Sequence, residues 1–419
     1  MPLDSTVARN DRIEHGQSFL MNWIYANAFN VADAIPCLAP PPSASHTMPT
    51  RPHFDIIIAG ASFSGVACAI SAARRGLRVC VLERKQDPGE KLHTTGIIVK
   101  EAAEQTLLNA LPTNATRRVE RVCLYSPRLK QLRLTAPGYY FLTTDTPQVM
   151  RWLASQLHEH GVELRLGQPF RDACRRAGGW DVTDVGTTHY LVGADGARSQ
   201  VARKCGLGLV RSFLYGVEYE FQGADLVDSD ALHCFISKRY APGYIGWFAQ
   251  NPCGVQAGLA LRHNPAHARL PDIDGFLAHT SAMTGLPLSM KPHHVRAGLI
   301  PCSGPVRALA NDRAILTGDA AGIVSPVTAG GIHSAWDHGW RVGAAIAAHL
   351  LDQGPPAEQA AIDAAPRFYT KRLLRWAFDK FQMDWPFDLL LHSLPLRWAA
   401  ETVYFHHRRA DQKHVPAQP

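Results

Sequence analysis

Three short runs of glycine and aspartate carry the chemistry legible in this chain. They are Gly60-Ala61-Ser62-Phe63-Ser64-Gly65, Gly193-Ala194-Asp195-Gly196 and Gly318-Asp319-Ala320-Ala321-Gly322, in that order and far apart. Each is weak alone. Their order and wide gaps point to one dinucleotide gripped at three places by a discontinuous domain, because glycine turns at helix N-termini cradle phosphates.

The first run needs a strand before it and a helix after it. Asp55-Ile56-Ile57-Ile58-Ala59 is a short apolar run bounded by turn residues, the pattern of a buried parallel strand. A helix is expected from about Ser64 to Arg75, with Ala67, Cys68, Ala69, Ala72 and Ala73 small enough for close packing, and Gly76 ends it. Leu77 to Leu82 reads as the second strand, and Glu83 follows about 20 residues beyond the glycine turn, as the dinucleotide fingerprint requires. A carboxylate there accepts both ribose hydroxyls and repels a 2′-phosphate, which favours FAD or NAD over NADP. Ser62 departs from the fingerprint, standing where a middle glycine lets the backbone approach the pyrophosphate; its hydroxyl could donate to a phosphate instead. The competing reading is an ordinary strand, turn and helix.

The second and third runs have similar supports. Leu191-Val192 leads into Gly193, and Ala314-Ile315-Leu316-Thr317 leads into Gly318-Asp319 at the end of a strand, where ligands of open parallel sheets sit. After Pro326, Ala329-Gly330-Gly331-Ile332 opens a long helix through Trp336 and Trp340 to Leu350. Its backbone N–H groups can point at a flavin, and its dipole favours negative charge on the reduced ring.

With these residues in place, the chain resembles the FAD-dependent oxidoreductases of the p-hydroxybenzoate hydroxylase-type fold. The stretch from Gly318 to Ile332 is most similar to the geranylgeranyl reductases. The resemblance runs from about residue 54 to 350. It implies an α/β fold with a Rossmann-like, glutathione-reductase-type FAD-binding domain over 53–119, 148–212 and 299–352. A discontinuous antiparallel-sheet substrate domain is expected over 120–147 and 213–298, and a helical C-terminal tail over 353–419. In this reading Gly60, Ala61, Ser62, Ser64, Gly65 and Arg84 bind the cofactor, and Glu83 binds the adenosine ribose. Asp195 lies near the pyrophosphate, Arg151 reaches the cofactor, Asp319 with Gly318 holds the ribityl chain, and Gly330, Gly331 and Ile332 face the ring. A solvated helix residue is the other reading of Arg151.

On the substrate side, Tyr215, Val217, Tyr219 and Phe221 alternate on one strand face, and Val255, Ala257, Leu259 and Leu261 on another. The expectation is an antiparallel sheet whose aromatic face walls a pocket against the flavin, with plain core packing as the alternative. The geranylgeranyl reductases carry Tyr-x-Trp-x-Phe-Pro on such a strand. Here Tyr244 and Phe248 are kept, Gly246 and Ala249 replace the tryptophan and proline, and Trp247 comes one step late, on the other face of a regular strand. His93, in Glu90 to Gly96, is expected in a loop beside the ring, as a proton donor, pH sensor, loop holder or flavin attachment point. His93, Tyr244 and Trp247 are the candidate catalytic residues.

The implied reaction is hydride transfer from reduced flavin to a carbon–carbon double bond of a hydrophobic, isoprenoid or lipid-like substrate, with Tyr244 or His93 supplying a proton. The same fold serves single-component monooxygenases that hydroxylate or epoxidise hydrophobic or aromatic substrates, and fold alone does not choose. A third reading is an FAD-binding protein without turnover. No second dinucleotide fingerprint is present, so NAD(P)H binds transiently or a ferredoxin or separate reductase delivers electrons.

The remaining composition bounds the partners. The chain has 419 residues, 46% apolar content and a formal charge of +7 with no Lys/Arg block, which argues against a nucleic-acid footprint. Nine cysteines show no zinc spacing, so no metal site is expected, and Cys68 and Cys80 read as buried residues of a reducing, cytoplasmic protein. Residues 1–52 read as a disordered extension or linker, with Met48 as the economical start and a secretory signal around Phe19 to Ile24 as its rival. The tail from about 367 is expected to be helical, with Leu374, Phe378 and Phe381 on one face and Lys371, Arg372, Arg375 and Lys380 elsewhere. Trp385-Pro386 is expected to break it before a second apolar run from Phe387 to Leu396. That tail packs on its parent domain, covers a greasy pocket or touches a membrane surface peripherally.

Overall fold

The computed structural model describes residues 51–266 and 269–405. The extension expected over 1–52 and the start at Met48 lie outside the described residues, Arg51 and Pro52 apart.

The first sheet is built on parallel strands in the spatial order Ala314–Leu316, Gly186–Gly193, His53–Ala59, Val79–Glu83 and Glu163–Leu166. Ile56, Ile57, Ile58, Val81 and Leu191 are fully buried, as strands covered on both faces must be. The helix Phe63–Ala73 lies against this sheet, and its other side packs on the helix Ile332–Leu351. The small residues foreseen on the first helix therefore serve a helix–helix contact as well. A Cβ added at Gly339 would sit 2.2 Å from the Ser64 carbonyl oxygen, and one at Gly343 2.2 Å from that of Cys68. Two glycines four residues apart thus make the notch that receives the first helix.

The second sheet has seven strands in the order His294–Pro301, Phe213–Gln222, Gly254–Arg262, Ile245–Asn251, Ala231–Ile236, Arg121–Tyr125 and Gln131–Thr135. All neighbours run antiparallel except the Ala231–Ile236 and Arg121–Tyr125 pair. A small sheet of Ile98–Val99, Phe141–Thr144 and Thr116–Val119 lies beside it.

One expectation is corrected here. Tyr215, Val217, Tyr219 and Phe221 pair directly with Leu261, Leu259, Ala257 and Val255, so the two sets share one face rather than two. Val217, Phe221, Val255, Ala257 and Leu259 are core with Phe235, Phe248 and Phe276. The reason is the helix Ile273–Thr284, which covers this face and drives Phe276 into the space over Gly246, where a Cβ would meet its ring at 2.3 Å. Plain core packing is the reading that holds.

The tail forms helices Tyr369–Phe381, Asp384–Leu390 and Leu394–Phe405. The expected break occurs, but at Gln382-Met383 rather than at Trp385-Pro386. Trp385 and Pro386 sit in the first turn of the middle helix, where proline lacks only an N–H that has no helical partner. The expected polarity of the first tail helix is also inverted at one place: Arg375 is buried and Leu374 exposed.

Candidate functional site

The parallel strands bring all three signatures to one edge. Ala59, Gly193 and Leu316 are register partners, and Ala59 also aligns with Leu82, next to Glu83. The backbone crossings continue past the strands: Gly60 N donates to Leu82 O (2.8 Å), Ala194 N to Ala59 O (2.8 Å) and Thr317 N to Gly193 O (2.9 Å). Segments more than a hundred residues apart in sequence therefore begin their turns side by side.

At the first signature both outer glycines are required sterically. Gly60 has φ +106°, and a Cβ there would lie 2.3 Å from the Ala194 carbonyl oxygen; one at Gly65 would lie 2.0 Å from Gly60 O. Ser62 occupies the N-cap with extended geometry, but its side chain makes no capping bond. The first amides of the helix thus keep their donors for another acceptor. Glu83 is buried at the end of its strand; Oε2 accepts from Ala61 N (3.1 Å) and Oε1 from Lys85 N (3.1 Å). Ser64 is buried where a Cβ on Gly318 would come within 2.4 Å of its hydroxyl, so the first and third signatures touch.

The two aspartates differ in how they are held. Asp195 Oδ2 accepts from Gln200 N (2.6 Å) and Val201 N (3.2 Å), while Oδ1 is buried with no partner. Burial raises its pKa, against the hydrogen bonds from Ser199, Val201 and Gln200. Asp319 presents solvent-accessible surface, yet the protein packed around it pushes its carboxyl up to about 6. The direction follows from partial desolvation without a compensating donor. Beyond it, Gly331 caps the long helix, also without a side-chain bond.

This donor and acceptor set fits a dinucleotide. Uncapped amides at two helix N-termini, an orphaned Asp195 oxygen, a glycine cradle that a Cβ would fill and an Asp319 carboxylate raised by crowding match a pyrophosphate flanked by hydroxyl-bearing sugars.

The loop after Glu83 connects this edge to the substrate sheet. His93 sits against Gly298, and Nδ1 donates to Ala297 O (2.9 Å) while Nε2 accepts from Arg84 Nη2 (3.4 Å), an assignment made from the partners. Crowding lowers the His93 pKa, the Ala297 carbonyl opposes this, and Arg84 adds to it. His93 is thus a neutral ring holding the loop to the strand. Arg151 lies on the helix Thr146–Glu159 and pairs with Asp87 through two nitrogens, Nη2 to Oδ2 at 2.6 Å and Nε to Oδ1 at 3.0 Å. The structure therefore places it on the loop carrying Asp87 to Gly89.

The substrate sheet grips the same loop with residues not singled out in the sequence. Arg296 is buried; Nη1 donates to Thr94 O (3.2 Å) and Glu218 Oε1 (3.3 Å), and Nη2 to Glu220 Oε1 (2.5 Å). Gln256 Nε2 donates to Thr95 O (3.2 Å), and from the small sheet the Thr144 hydroxyl donates to Gly96 O (2.9 Å). Burial raises the Glu218 carboxyl, against Arg296 and the Trp247 hydrogen bond. The signal in the sequence was Glu218 and Glu220 on a strand that otherwise reads as apolar and aromatic.

Trp247 lies on the face turned away from Phe276. Its Nε1 donates to Glu218 Oε2 (3.0 Å), and a Cβ on Gly258 would meet its ring at 2.5 Å. Tyr244 precedes the strand Ile245–Asn251 and so escapes its alternation, which puts Tyr244 and Trp247 in one cluster with Leu214, Ala260, Cys302, Ile245, Ile300 and Ala329. The Tyr244 hydroxyl donates to Thr328 O (2.5 Å), and burial pushes its pKa up. An apolar surface of the substrate sheet thereby meets the loop before Gly330 and Gly331. A polar cleft of about 390 Å³ at the Asn251–Gly254 turn touches none of the signatures.

Comparison with known proteins agrees with this geometry. Residues 58–105 match the NAD(P)-binding Rossmann-like domain family. The chain is 27% identical over 335 residues to digeranylgeranylglycerophospholipid reductase 2 of Methanothermobacter thermautotrophicus, covering 77% of this chain and 83% of that one. Among solved structures it is similar to a geranylgeranyl bacteriochlorophyll reductase-like protein of Thermoplasma acidophilum, with TM-score 0.72, 16% identity and coverage of 85% and 97%. It is also similar to aklavinone-11 hydroxylase, solved with FAD and aklavinone, with TM-score 0.55, 21% identity and coverage of 72% and 63%. The expected fold and the resemblance to FAD-dependent reductases and monooxygenases are borne out.

Proposed function

We propose that this protein is an FAD-dependent oxidoreductase that reduces a carbon–carbon double bond of an isoprenoid or lipid-like substrate. The observation that carries the reading is the apolar cluster of Leu214, Tyr244, Ile245, Trp247 and Ile300 packed against Ala329, beside the third signature. A hydrophobic chain lying there would be flanked by aromatic and aliphatic walls, with charge held in pairs at the edges, Glu218 with Arg296 behind Trp247 and Arg262 with Asp379 beside Cys302.

FAD, when bound and reduced, supplies hydride chemistry. The protein's share is to bind, orient and keep water out. Gly60 to Gly65, Glu83 and Arg84 are assigned to the adenosine half, Asp195 to the pyrophosphate region, Gly318 and Asp319 to the ribityl chain, and Gly330 to Ile332 to the ring. Arg151 orders the Asp87 loop in this scheme, and Arg296 with Gln256 holds Thr94 and Thr95. The Tyr244 hydroxyl, within the apolar cluster, is assigned the proton, while His93 holds the loop with its Nδ1 proton on Ala297 O. The division into FAD-binding segments 53–119, 148–212 and 299–352 and substrate segments 120–147 and 213–298 belongs to the same proposal. So do an external electron donor, NAD(P)H, a ferredoxin or a separate reductase, and a peripheral membrane contact through the tail.

The test is anaerobic. Purified protein reconstituted with FAD and chemically reduced is mixed with a polyprenyl lipid, and reoxidation is followed by flavin absorbance with mass analysis of the lipid. A gain of two hydrogens per flavin reoxidised supports the reductase. Reoxidation only on admitting oxygen, with an oxygenated product, replaces it with the monooxygenase reading.

A further inference from the structure

The C-terminal tail carries a surface unlike the rest of the molecule. Of the large hydrophobic side chains left exposed, Tyr369, Leu373, Leu374, Trp376, Trp385, Leu389, Leu390, Leu394 and Trp398 fall within its three helices, and Met383 lies between the first two. Trp376, Trp385 and Trp398 are 54%, 62% and 62% exposed, and Leu389 and Leu394 71% and 81%.

The acidic residues of these helices are turned to other work. Asp379 pairs with Arg262 (3.0 Å) and with Arg375, which also donates to Gly243 O. Asp384 accepts from Lys238 N (2.9 Å), and Asp388 from the Ser126 hydroxyl (2.6 Å) and Arg128 N (2.9 Å). Glu401 is matched within its own helix by Arg397 (2.9 Å). Three acids thus fasten the tail to the body and the fourth is neutralised, while Arg367, Arg372 and Lys380 remain exposed. The outward composition is apolar, rich in tryptophan and cationic.

We infer that the tail helices form a docking face for the surface of an anionic lipid bilayer. Tryptophan rings and leucines settle at the headgroup boundary while lysine and arginine meet lipid charge. A second copy of this chain fits poorly, because a self-complementary contact would set cations against cations while the acids of these helices are already engaged by Arg262, Arg375, Lys238, Ser126 and Arg397. No helix among the described residues is long and apolar enough to cross a membrane, so the contact is peripheral. The face also adjoins the site: Arg375 and Gln382 hold the carbonyl and amide of Gly243, the residue before Tyr244. Docking there sets the apolar cluster beside the phase in which a lipid substrate resides, which is where this inference rests on the proposed reduction of lipid-like molecules.

The experiment uses the full FAD-loaded chain and vesicles of phosphatidylcholine alone or with 30% phosphatidylglycerol, read by co-sedimentation and tryptophan emission. Binding to the anionic vesicles at least tenfold tighter than to neutral ones is expected, with a blue shift. The W376A/W385A/W398A variant should lose tenfold or more, and R367E/K380E should abolish the preference for anionic lipid. Flavin content and reoxidation with a short soluble substrate should stay unchanged in both. Absence of vesicle binding at 1 mM lipid, equal binding by the tryptophan variant, or a wild-type dimer that the same variant converts to monomer each overturns the inference. Vesicle binding without double-bond reduction removes the reductase reading and leaves the docking face; turnover of detergent-dispersed lipid without vesicle binding does the reverse.

Discussion

Replacing Gly339 by alanine tests how the cofactor edge is built. The new Cβ would lie 2.2 Å from Ser64 O, 3.0 Å from Ser64 C and 3.1 Å from its Cα, all rigid backbone atoms of the facing helix. Reaching ordinary contact at 3.4 Å parts the helices by about 1.2 Å along that line. Overpacking of this size costs about 3 kcal/mol, at the upper end of the usual range. Alanine returns about 1 kcal/mol through its better helix propensity. The net loss is about 2 kcal/mol, which at about 2 °C per kcal/mol for a large chain lowers Tm by about 4 °C. Ser64 lies in the first turn of the helix assigned to the phosphates, so its displacement should also weaken FAD binding about tenfold, on the scale of 1 Å positioning losses. Thermal melts of the apo protein and fluorescence titration with FAD read both quantities. A variant with wild-type or higher Tm and unchanged affinity would refute the reasoning, because propensity would then have prevailed over the contact.

Asp319 should make FAD affinity pH-dependent. Its carboxyl, pushed up to about 6, is protonated below that pH, so the apo protein loses stability as pH rises from about 4 to about 6, where the unfolded chain has already ionised. If hydroxyl donors of FAD favour the ionised form, binding tightens as pH rises through 6 in the wild type and stays flat in Asp319→Asn, as isothermal titration at three pH values will show. Glu218→Ala should destabilise by about 1–3 kcal/mol in urea melts, because it leaves the Trp247 Nε1 donor and one Arg296 nitrogen short of an acceptor while Glu220 keeps the Arg296 charge paired. Arg151→Ala should cost no more than about 1 kcal/mol, its pair with Asp87 being half in solvent. Tyr244→Phe should slow substrate-dependent reoxidation of reduced flavin at least tenfold while leaving FAD affinity within twofold, as stopped-flow traces and titration will separate.

The nucleotide half was legible because its physics is local. Strands buried on both faces read as unbroken apolar runs, and Gly60, Gly65 and Gly318 are required by contacts at short range. Glu83 falls at the end of its strand for the same reason. The substrate half was not legible, since alternation names two faces of a strand without saying which one a helix will cover. Here Ile273–Thr284 takes the aromatic face, which leaves Trp247 and Leu214 to the cluster on the opposite face. Tyr244 and Trp247 share a side only because the strand begins between them. Arg296 and Glu218 are 78 residues apart, beyond any spacing rule, and Arg375 reads as a surface cation until Asp379 and the Gly243 carbonyl are seen around it.

The discontinuity of the first sheet sets a schedule for synthesis. Gly186–Gly193 receives its neighbour Ala314–Leu316 only after about 120 further residues have been made, or roughly 6–24 s at the usual rate of translation. Throughout that interval the nascent chain carries an unpaired strand margin and two thirds of a cofactor cradle. On the proposed assignment of the three signatures, FAD enters after the ribosome has nearly finished. Slow-growing cultures and abundant riboflavin should raise the soluble yield more than any change near the N-terminus.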